Sequence, residues 1–359
     1  MQQHLHALAV HAYYAGEMDA GRRACDRLLG MEIPEDLERQ TRANRTWYTP
    51  LLADLVPGVT FRRFDVFDVE PPRPGWSLFN PSILSVGPGY LAVVRSSNYR
   101  IEGGRYVIPP EDGDAIRTTN LMVILGTDFE VLSCCEITEP DYARNGYPVH
   151  GWEDIRLRET PAGIGVSATV RDAAGWDGRC RIATASLDAD TATLSGMRVL
   201  EWEGLQPHEK NWMPIEGIDG WLYGCGHDGH TVAVRADADM PGCYGVARHA
   251  PAPHIARGFR GGSQLVPLRD GWLAVVHEVA VMEGGTRAYE HRFVWFDGSF
   301  TLRRMSPLFA FRETRAIEFA AGLAIKDGTV VVTFGVRDAE AWLVTLPEDD
   351  VCQLLAPVS

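Results

Sequence analysis

The chain has 359 residues, 45% of them hydrophobic and 23% charged, ordinary values for a globular protein with a sizeable core in one large domain or two moderate ones. Its 48 acidic residues outnumber 34 lysines and arginines, for a formal net charge of -14. A field of that sign repels nucleic acid and anionic membrane, so neither is expected as a partner, and an anionic ligand would need a local basic pocket.

The first fifty residues read as helices. Leu5, Leu8, Ala9, Ala12 and Tyr13 recur at helical spacing until Gly16 and Glu17 interrupt,. A second run follows through Ala20, Ala24, Cys25, Leu28 and Leu29. Pro34 then opens PEDLERQTRANRTWY, with acids early and arginines late, as the helix dipole favours,. The stretch AYYAGEMDAGRRACDRLL is similar to one tetratricopeptide-type unit. A lone unit cannot bury both faces. Residues 1–50 are therefore expected to cap a larger domain or to stack on further repeats, and to offer helices to a protein partner. Residues 51–75 read as a linker.

From residue 76 the pattern changes to short β-type runs punctuated by Gly, Asp and Pro. GYLAVVRSSNY, GIGVSATVRD, GWLYGCGHDG, GWLAVVHEVA and GTVVVTFGVRD share one form, glycine followed by an apolar run and a polar tail. Each is preceded by a run of similar length, and most are followed by further runs. Five units of three to four strands predict a mainly β protein, a five-bladed β-propeller over residues 76–359 behind the small helical segment. A large β-sandwich is the competing arrangement.

The unit starts are FNPS, WEDIR, EKNW, RGGSQ and IEFAAG. They carry Asn80, Glu153, Asp154, Arg156, Glu209, Lys210, Asn211, Arg260, Gln264 and Glu318. Buried unpaired charges are expensive, so on innermost strands these residues must face one another across a polar channel. A ring of acids, bases and amides suits a multi-hydroxyl ligand, a sugar or oligosaccharide, and Trp152 and Trp212 offer flat faces for a ring to stack on. A second set recurs where the next strand ends: Arg95, Arg171, His227, His277 and Arg337. Guanidinium forks there would suit a phosphate.

Other motifs carry less. His227 to His230, HDGH, reads as a loop and not as a metal site, and no glycine pair has the lysine-serine ending of a phosphate loop. Gly261-Gly262 reads as a point of close chain approach to the pocket. Neither a metal nor a bound cofactor is expected. Seven cysteines without a Cys-x-x-Cys pair read as buried free thiols in a reducing compartment, and the chain as cytoplasmic.

GWEDIRL, FNPSI, RGGSQLVPLRDGWLAVVHEV and IEFAAGLAIKDGTVVVTFGVRDAEAWL together resemble the β-mannoside phosphorylases, family 130 of the glycoside hydrolases. Those are five-bladed propellers that cleave β-mannosides with inversion, mostly using phosphate. EKNWMP is also similar to related propellers that transfer β-mannosyl groups from a sugar nucleotide. The resemblance spans roughly residues 76 to 347, with Ile155 where the family signature has proline. It implies Asp154 as general acid, with Arg156 orienting it or touching substrate. It also implies Arg95, Lys210, His277 and Arg171 as binders of inorganic phosphate or of a sugar-nucleotide phosphate. Asn80 and Asn211 would meet sugar hydroxyls, Glu153 would partner Arg156 or a hydroxyl, and Tyr289 and His291 would complete the pocket. Two other functions stay open from the residues. One is an inverting hydrolase with Glu209, Glu278 or Glu318 as base. The other is a non-catalytic glycan-binding propeller of a larger glycosyltransferase system.

Overall fold

The computed structural model describes residues 1–64, 69–202, 204–226, 229–236 and 244–358. His227, Asp228 and Cys243 lie outside the described residues. Five sheets, antiparallel but for the short strand Val149–His150 that pairs parallel with Ile116–Leu125, follow one another along the chain. Their inner strands are Ser77–Val86, Glu153–Thr160, Met213–Pro214, the pair Arg260–Gly261 and Val266–Leu268, and Glu318–Lys326. Each pairs with the next strand outward: Gly89–Ser97, Gly163–Val170, Gly220–Cys225, Gly271–Val281 and Thr329–Val336. This is a five-bladed propeller, and it displaces the sandwich alternative; the unit starts lie on the innermost strands except EKNW, residues 209–212, which leads into Met213–Pro214.

The inner strands are largely buried yet mix apolar and charged residues, as in Glu153–Thr160, EDIRLRET, because their inward positions face a polar channel. Phe79 and Ile83 are 0% exposed. The core lies between neighbouring blades. Leu91, Val93 and Met122 of blade one pack on Leu157, Val166 and Ala183 of blade two. Val275 and Phe293 of blade four pack likewise on Leu323, Val332 and Val344 of blade five. Such side-by-side burial makes each blade depend on its neighbours and leaves the centre of the ring to polar side chains.

The ring closes through the N-terminal side of the chain. Thr60–Arg63 pairs antiparallel with Glu340–Pro347 as the outermost strand of blade five, Phe61 opposite Val344. Ahead of it the turn Leu52–Leu55 buries Leu52 between blades four and five. The stretch read as a linker is thus partly structural. Its apolar residues sit in elements of only four residues each, too short for any periodicity to register. The C-terminus adds a second tie, Ala356–Pro357 pairing with Leu302–Met305 of blade four.

Three helices precede the propeller: Gln2–Tyr14, Met18–Leu29 and Glu35–Arg45. Leu5, Ala9, Ala12, Cys25, Leu28 and Tyr48 make a small core of their own. Gly21 lets the helices close on Tyr48, because a Cβ there would lie 2.3 Å from the ring. The third helix packs on the propeller strand Gly271–Val281. Among the described residues no helix is long and apolar enough to cross a membrane. The six described cysteines are free, and Cys25, Cys180 and Cys225 are buried. Cys134 and Cys135 are exposed, against the expectation of buried thiols, because they lie on the outermost strand of blade one, Val131–Glu136.

Candidate active site

Two inner strands, and the segment leading into a third, leave the extended conformation. Asn80, Asp154 and Asn211 have φ of 47°, 53° and 61°, the left-handed region that short amide and carboxyl side chains tolerate best. Beside Asn80 the ladder slips between Phe79 and Ser82. Pro81, with no N–H to donate, sits at the slip. Bulges of this kind turn a side chain out of the sheet. Glycines leave room for it: a Cβ on Gly335 would lie 2.0 Å from Asn80 Oδ1, and one on Gly261 would lie 1.9 Å from the Asn211 carbonyl oxygen. The reading of Gly261-Gly262 as a close approach holds for that reason.

These residues face a central cavity of about 550 Å3 to which all five blades contribute. Of the residues singled out from sequence, Asn80, Arg95, Glu153, Asp154, Glu209, Lys210, Asn211, Arg260, His277 and Tyr289 line it. Its charged lining is four cations, Arg95, Lys210, Arg260 and Arg287, against four carboxylates, Glu153, Asp154, Glu209 and Asp338. A chain of net charge -14 therefore holds one locally balanced site.

Asp154 is the most constrained of the acids. Its Oδ1 accepts hydrogen bonds from Asn80 Nδ2 and Arg95 Nη1, both at 2.9 Å. Burial raises its pKa, but the Arg95 guanidinium, the Asn80 amide and the charges of Lys210 and Arg156 outweigh burial and hold it below the ordinary aspartate value,. Glu153, its neighbour, accepts from Lys210 Nζ at 3.4 Å and lies 3.7 Å from Arg95 Nη2. The Glu153 carboxylate is the chief cause that raises the Lys210 pKa against burial. His277 is held neutral, its pKa far below the usual value, by burial and by His291, Arg260 and Arg156.

Other residues serve the site from behind. Arg156 lies across the channel: Nε donates to the Gly262 carbonyl at 2.6 Å, Nη2 to Asn211 Oδ1 at 3.2 Å and Nη1 to the Asp154 carbonyl at 3.3 Å. It supports three blades and does not line the cavity. Gln264 staples blade four to blades one and five, its amide donating to the Ile83 and Leu323 carbonyls and accepting from Leu323 N. Glu318 accepts from the backbone N–H groups of Phe311, Arg312 and Glu313, and so ties down a loop. His291 packs between Phe309 and Phe311. Trp152 and Trp212 are 0% and 1% exposed, and Trp212 Nε1 donates to Glu209. Arg156, Gln264 and Glu318, on or between the converging inner strands, are engaged by backbone and side chains of neighbouring segments, as buried polar groups are. The flat faces in the cavity belong instead to tyrosines and phenylalanines, Tyr99, Tyr106, Tyr223, Phe259, Tyr289 and Phe319.

Two members of the second recurrent set lie elsewhere. Arg171 stacks on Tyr147 and donates to its hydroxyl and to the Gly178 carbonyl. Arg337 is exposed and pairs with Glu313. Its neighbour Asp338 enters the cavity instead. Both have left-handed backbone, φ 55° and 51°, which reverses the chain and moves the inward position on by one. Asp338 Oδ2 accepts from the Tyr99 hydroxyl at 2.8 Å. Burial, then the Asp154 and Glu153 charges, push its pKa up against Arg95 and the Tyr99 bond. Of the three glutamates considered as bases, Glu278 points into the N-terminal helices and Glu318 caps backbone. Glu209 lines the cavity but is engaged by Gln206 N, Trp212 and Tyr223. Among the described residues no group of three or more metal-ligating side chains forms.

No protein-family model matches the chain, and no curated protein matches it in sequence. Its backbone is similar to solved propellers. A β-1,2-mannobiose phosphorylase from Listeria innocua, in complex with β-1,2-mannobiose, superposes with a TM-score of 0.52 at 12% identity, over 83% of this chain and 99% of that one. A glycosyl hydrolase from Bacteroides ovatus gives 0.50 at 11% identity, over 84% and 95%. A structure from work on the GH130 family of mannoside phosphorylases, which contains hydrolases targeting β-1,2-mannosidic linkages in Candida mannan, gives 0.50 at 12%, over 84% and 97%. At these identities the likeness establishes the fold.

Proposed function

We propose that this chain is a carbohydrate-active enzyme. It carries out inverting glycosyl transfer on β-mannoside-like glycans, by phosphorolysis or by transfer from an activated sugar, with Asp154 moving the proton. The observation that carries the reading is the setting of Asp154. A carboxylate on a left-handed residue of an inner strand is fixed through one oxygen by Asn80 and Arg95. Its surroundings hold sugar-sized volume, flat tyrosine faces and three further carboxylates, Glu153, Glu209 and Asp338. Strained backbone held in place at a cavity is characteristic of functional sites. The mannobiose phosphorylase and the hydrolases that share the fold act on linkages of this class.

An anionic second substrate suits the site better than water does. The four lining cations would hold a phosphate, and a phosphate nucleophile needs no carboxylate base. In phosphorolysis a phosphate oxygen attacks the anomeric carbon from the face opposite the glycosidic oxygen. That oxygen leaves with the bonding pair and takes a proton from Asp154. In the reverse direction Asp154 accepts the proton of the acceptor hydroxyl. The resting Asp154 is a carboxylate, ready for this reverse step. A phosphate dianion paired with Arg95 would offset the charge that depresses Asp154 and would repel its ionised form, lifting its pKa toward that of an acid.

The test offers β-mannosides with inorganic phosphate, and separately GDP-mannose with a mannoside acceptor, and follows product. Product is expected with one donor, and Asp154→Asn should abolish it while sugar binding survives. A wild-type protein that binds sugar and turns over neither donor would be a glycan-binding propeller. Reducing sugar released without phosphate would make it a hydrolase.

A further inference from the structure

His277, Arg287 and Tyr289 reach the cavity from one hairpin, Gly271–Val281 with Arg287–Asp297. Side chains alternate between the faces of such strands, so Glu278 beside His277 and Glu290 beside Tyr289 point away from the cavity. Glu278 and Glu290 are direct cross-strand partners and are 0% and 1% exposed. Two like charges facing each other on a buried sheet surface are untenable without cations.

The cations come largely from the N-terminal helices. Arg45 Nη2 donates to Glu278 Oε2 and to Glu290 Oε2, each at 3.0 Å. Arg42 Nη1 donates to Glu278 Oε2 at 2.5 Å, and the Thr49 hydroxyl donates to Glu290 Oε1. Arg292 of the hairpin joins them, with Nε to Glu278 Oε1 at 3.1 Å and Nη2 to Asp26 Oδ1 of the second helix at 3.0 Å. Three arginines thus face three carboxylates. On the opposite face of the same strand pair the His277 and Tyr289 rings stack, centroids 5.0 Å apart and planes 15° apart.

We propose that the N-terminal helices are a working part of the site: Arg45 and Arg42 hold the Glu278–Glu290 pair and thereby set where His277 and Tyr289 stand in the cavity. Arg42 and Arg45 are then positioning residues. The kinetic consequence rests on the proposed function, whereas the placement of the histidine can be read without any substrate.

Arg45 is wholly buried and its removal risks the fold, so the test uses Arg42→Gln in the full chain, with Arg42→Lys as the conservative control. Arg42 has 11% side-chain exposure. The His277 imidazole resonances, assigned by their loss in His277→Gln, are recorded with the melting temperature, and KM for inorganic phosphate is recorded if turnover exists. Arg42→Gln should shift the His277 resonances and raise KM, by up to about 100-fold, the cost of a displacement of about 1 Å remote from the chemistry. Arg42→Lys should recover most of both. Should Arg42→Gln lower the melting temperature while the His277 resonances stay in place, the network is a structural staple and the proposal is overturned. A protein without turnover would count against the function alone, since the resonances still decide the placement.

Discussion

Arg95 Nη1 lies 2.9 Å from Asp154 Oδ1, and the same guanidinium reaches Thr118 Oγ1 through Nη2 at 3.3 Å. Phe79 lies under its plane, 4.9 Å from the guanidinium carbon. The arginine is therefore fixed on three sides and presents its charge first to Asp154 and, at 3.7 Å, to Glu153. The Asp154 pKa is depressed, so its ionised form persists below the ordinary value of about 3.9. Synthesis needs that ionised form. The kcat/KM of synthesis, which reports the free protein, should be level from neutral pH downward and fall only as pH drops through the depressed pKa. Replacing Arg95 by Met removes the main lowering cause and leaves burial, which raises. The acidic limb of the pH–rate profile should then move to higher pH. A limb at the same pH in both proteins would remove Asp154 as the base.

Gly335 supports the site without touching it. A Cβ there would lie 2.0 Å from Asn80 Oδ1 and 2.6 Å from Asn80 N, and Asn80 cannot yield without losing its bond to Asp154. Gly335→Ala should cost about 1–3 kcal/mol of stability, as overpacking does, and lower turnover as Asn80→Ala does. The two effects should not add, because both remove the same contact. A double variant losing the full sum in turnover would contradict this route.

The propeller was legible because its signal is repetition, which survives the shortness of individual strands. The sites on blades one to four were legible for the same reason: Asn80, Asp154 and Asn211 sit at unit starts and His277, like Arg95, where the next strand ends, and all of them line the cavity. Phase cannot say which of two adjacent polar residues faces inward once the backbone turns left-handed. Hence Arg337 was singled out where Asp338 enters. Nor can it separate a ligand-facing amide from one that staples blades, hence Gln264. The ring closure was illegible because Thr60–Arg63 has four residues and its partner is some 280 positions away in sequence.

That closure yields its own prediction. A chain begun at Ser77, where the first inner strand starts, would leave Glu340–Pro347 as an open edge and Glu278 and Glu290 without Arg45. Unpaired strand edges invite aggregation, and a buried charge stripped of its partner costs about 3–5 kcal/mol. The truncated chain is expected to be insoluble or to lack a cooperative melt by circular dichroism. A soluble, cooperatively melting truncation would show that blade five closes without the N-terminal strand.

His291 gives the stability a pH dependence. Burial among Phe309 and Phe311 brings its pKa down to about 3, against about 6.5 in an unfolded chain. Between these values the unfolded state binds a proton that the folded state refuses, so stability falls as pH drops below 6.5. The slope is at most about 1.4 kcal/mol per pH unit. Glu139, raised to about 7 chiefly by burial, pulls the other way, since its folded form holds a proton that the unfolded form releases above about 4.5. The wild-type curve alone is therefore a poor readout. His291→Phe removes one titration and leaves the others, those of His277, Glu139, Glu216 and Glu318 among them. Unfolding by urea at pH 7, 6 and 5 should show the stability of the wild type declining relative to this variant at each step. A difference that stays constant with pH would mean that His291 does not remain neutral in the folded protein.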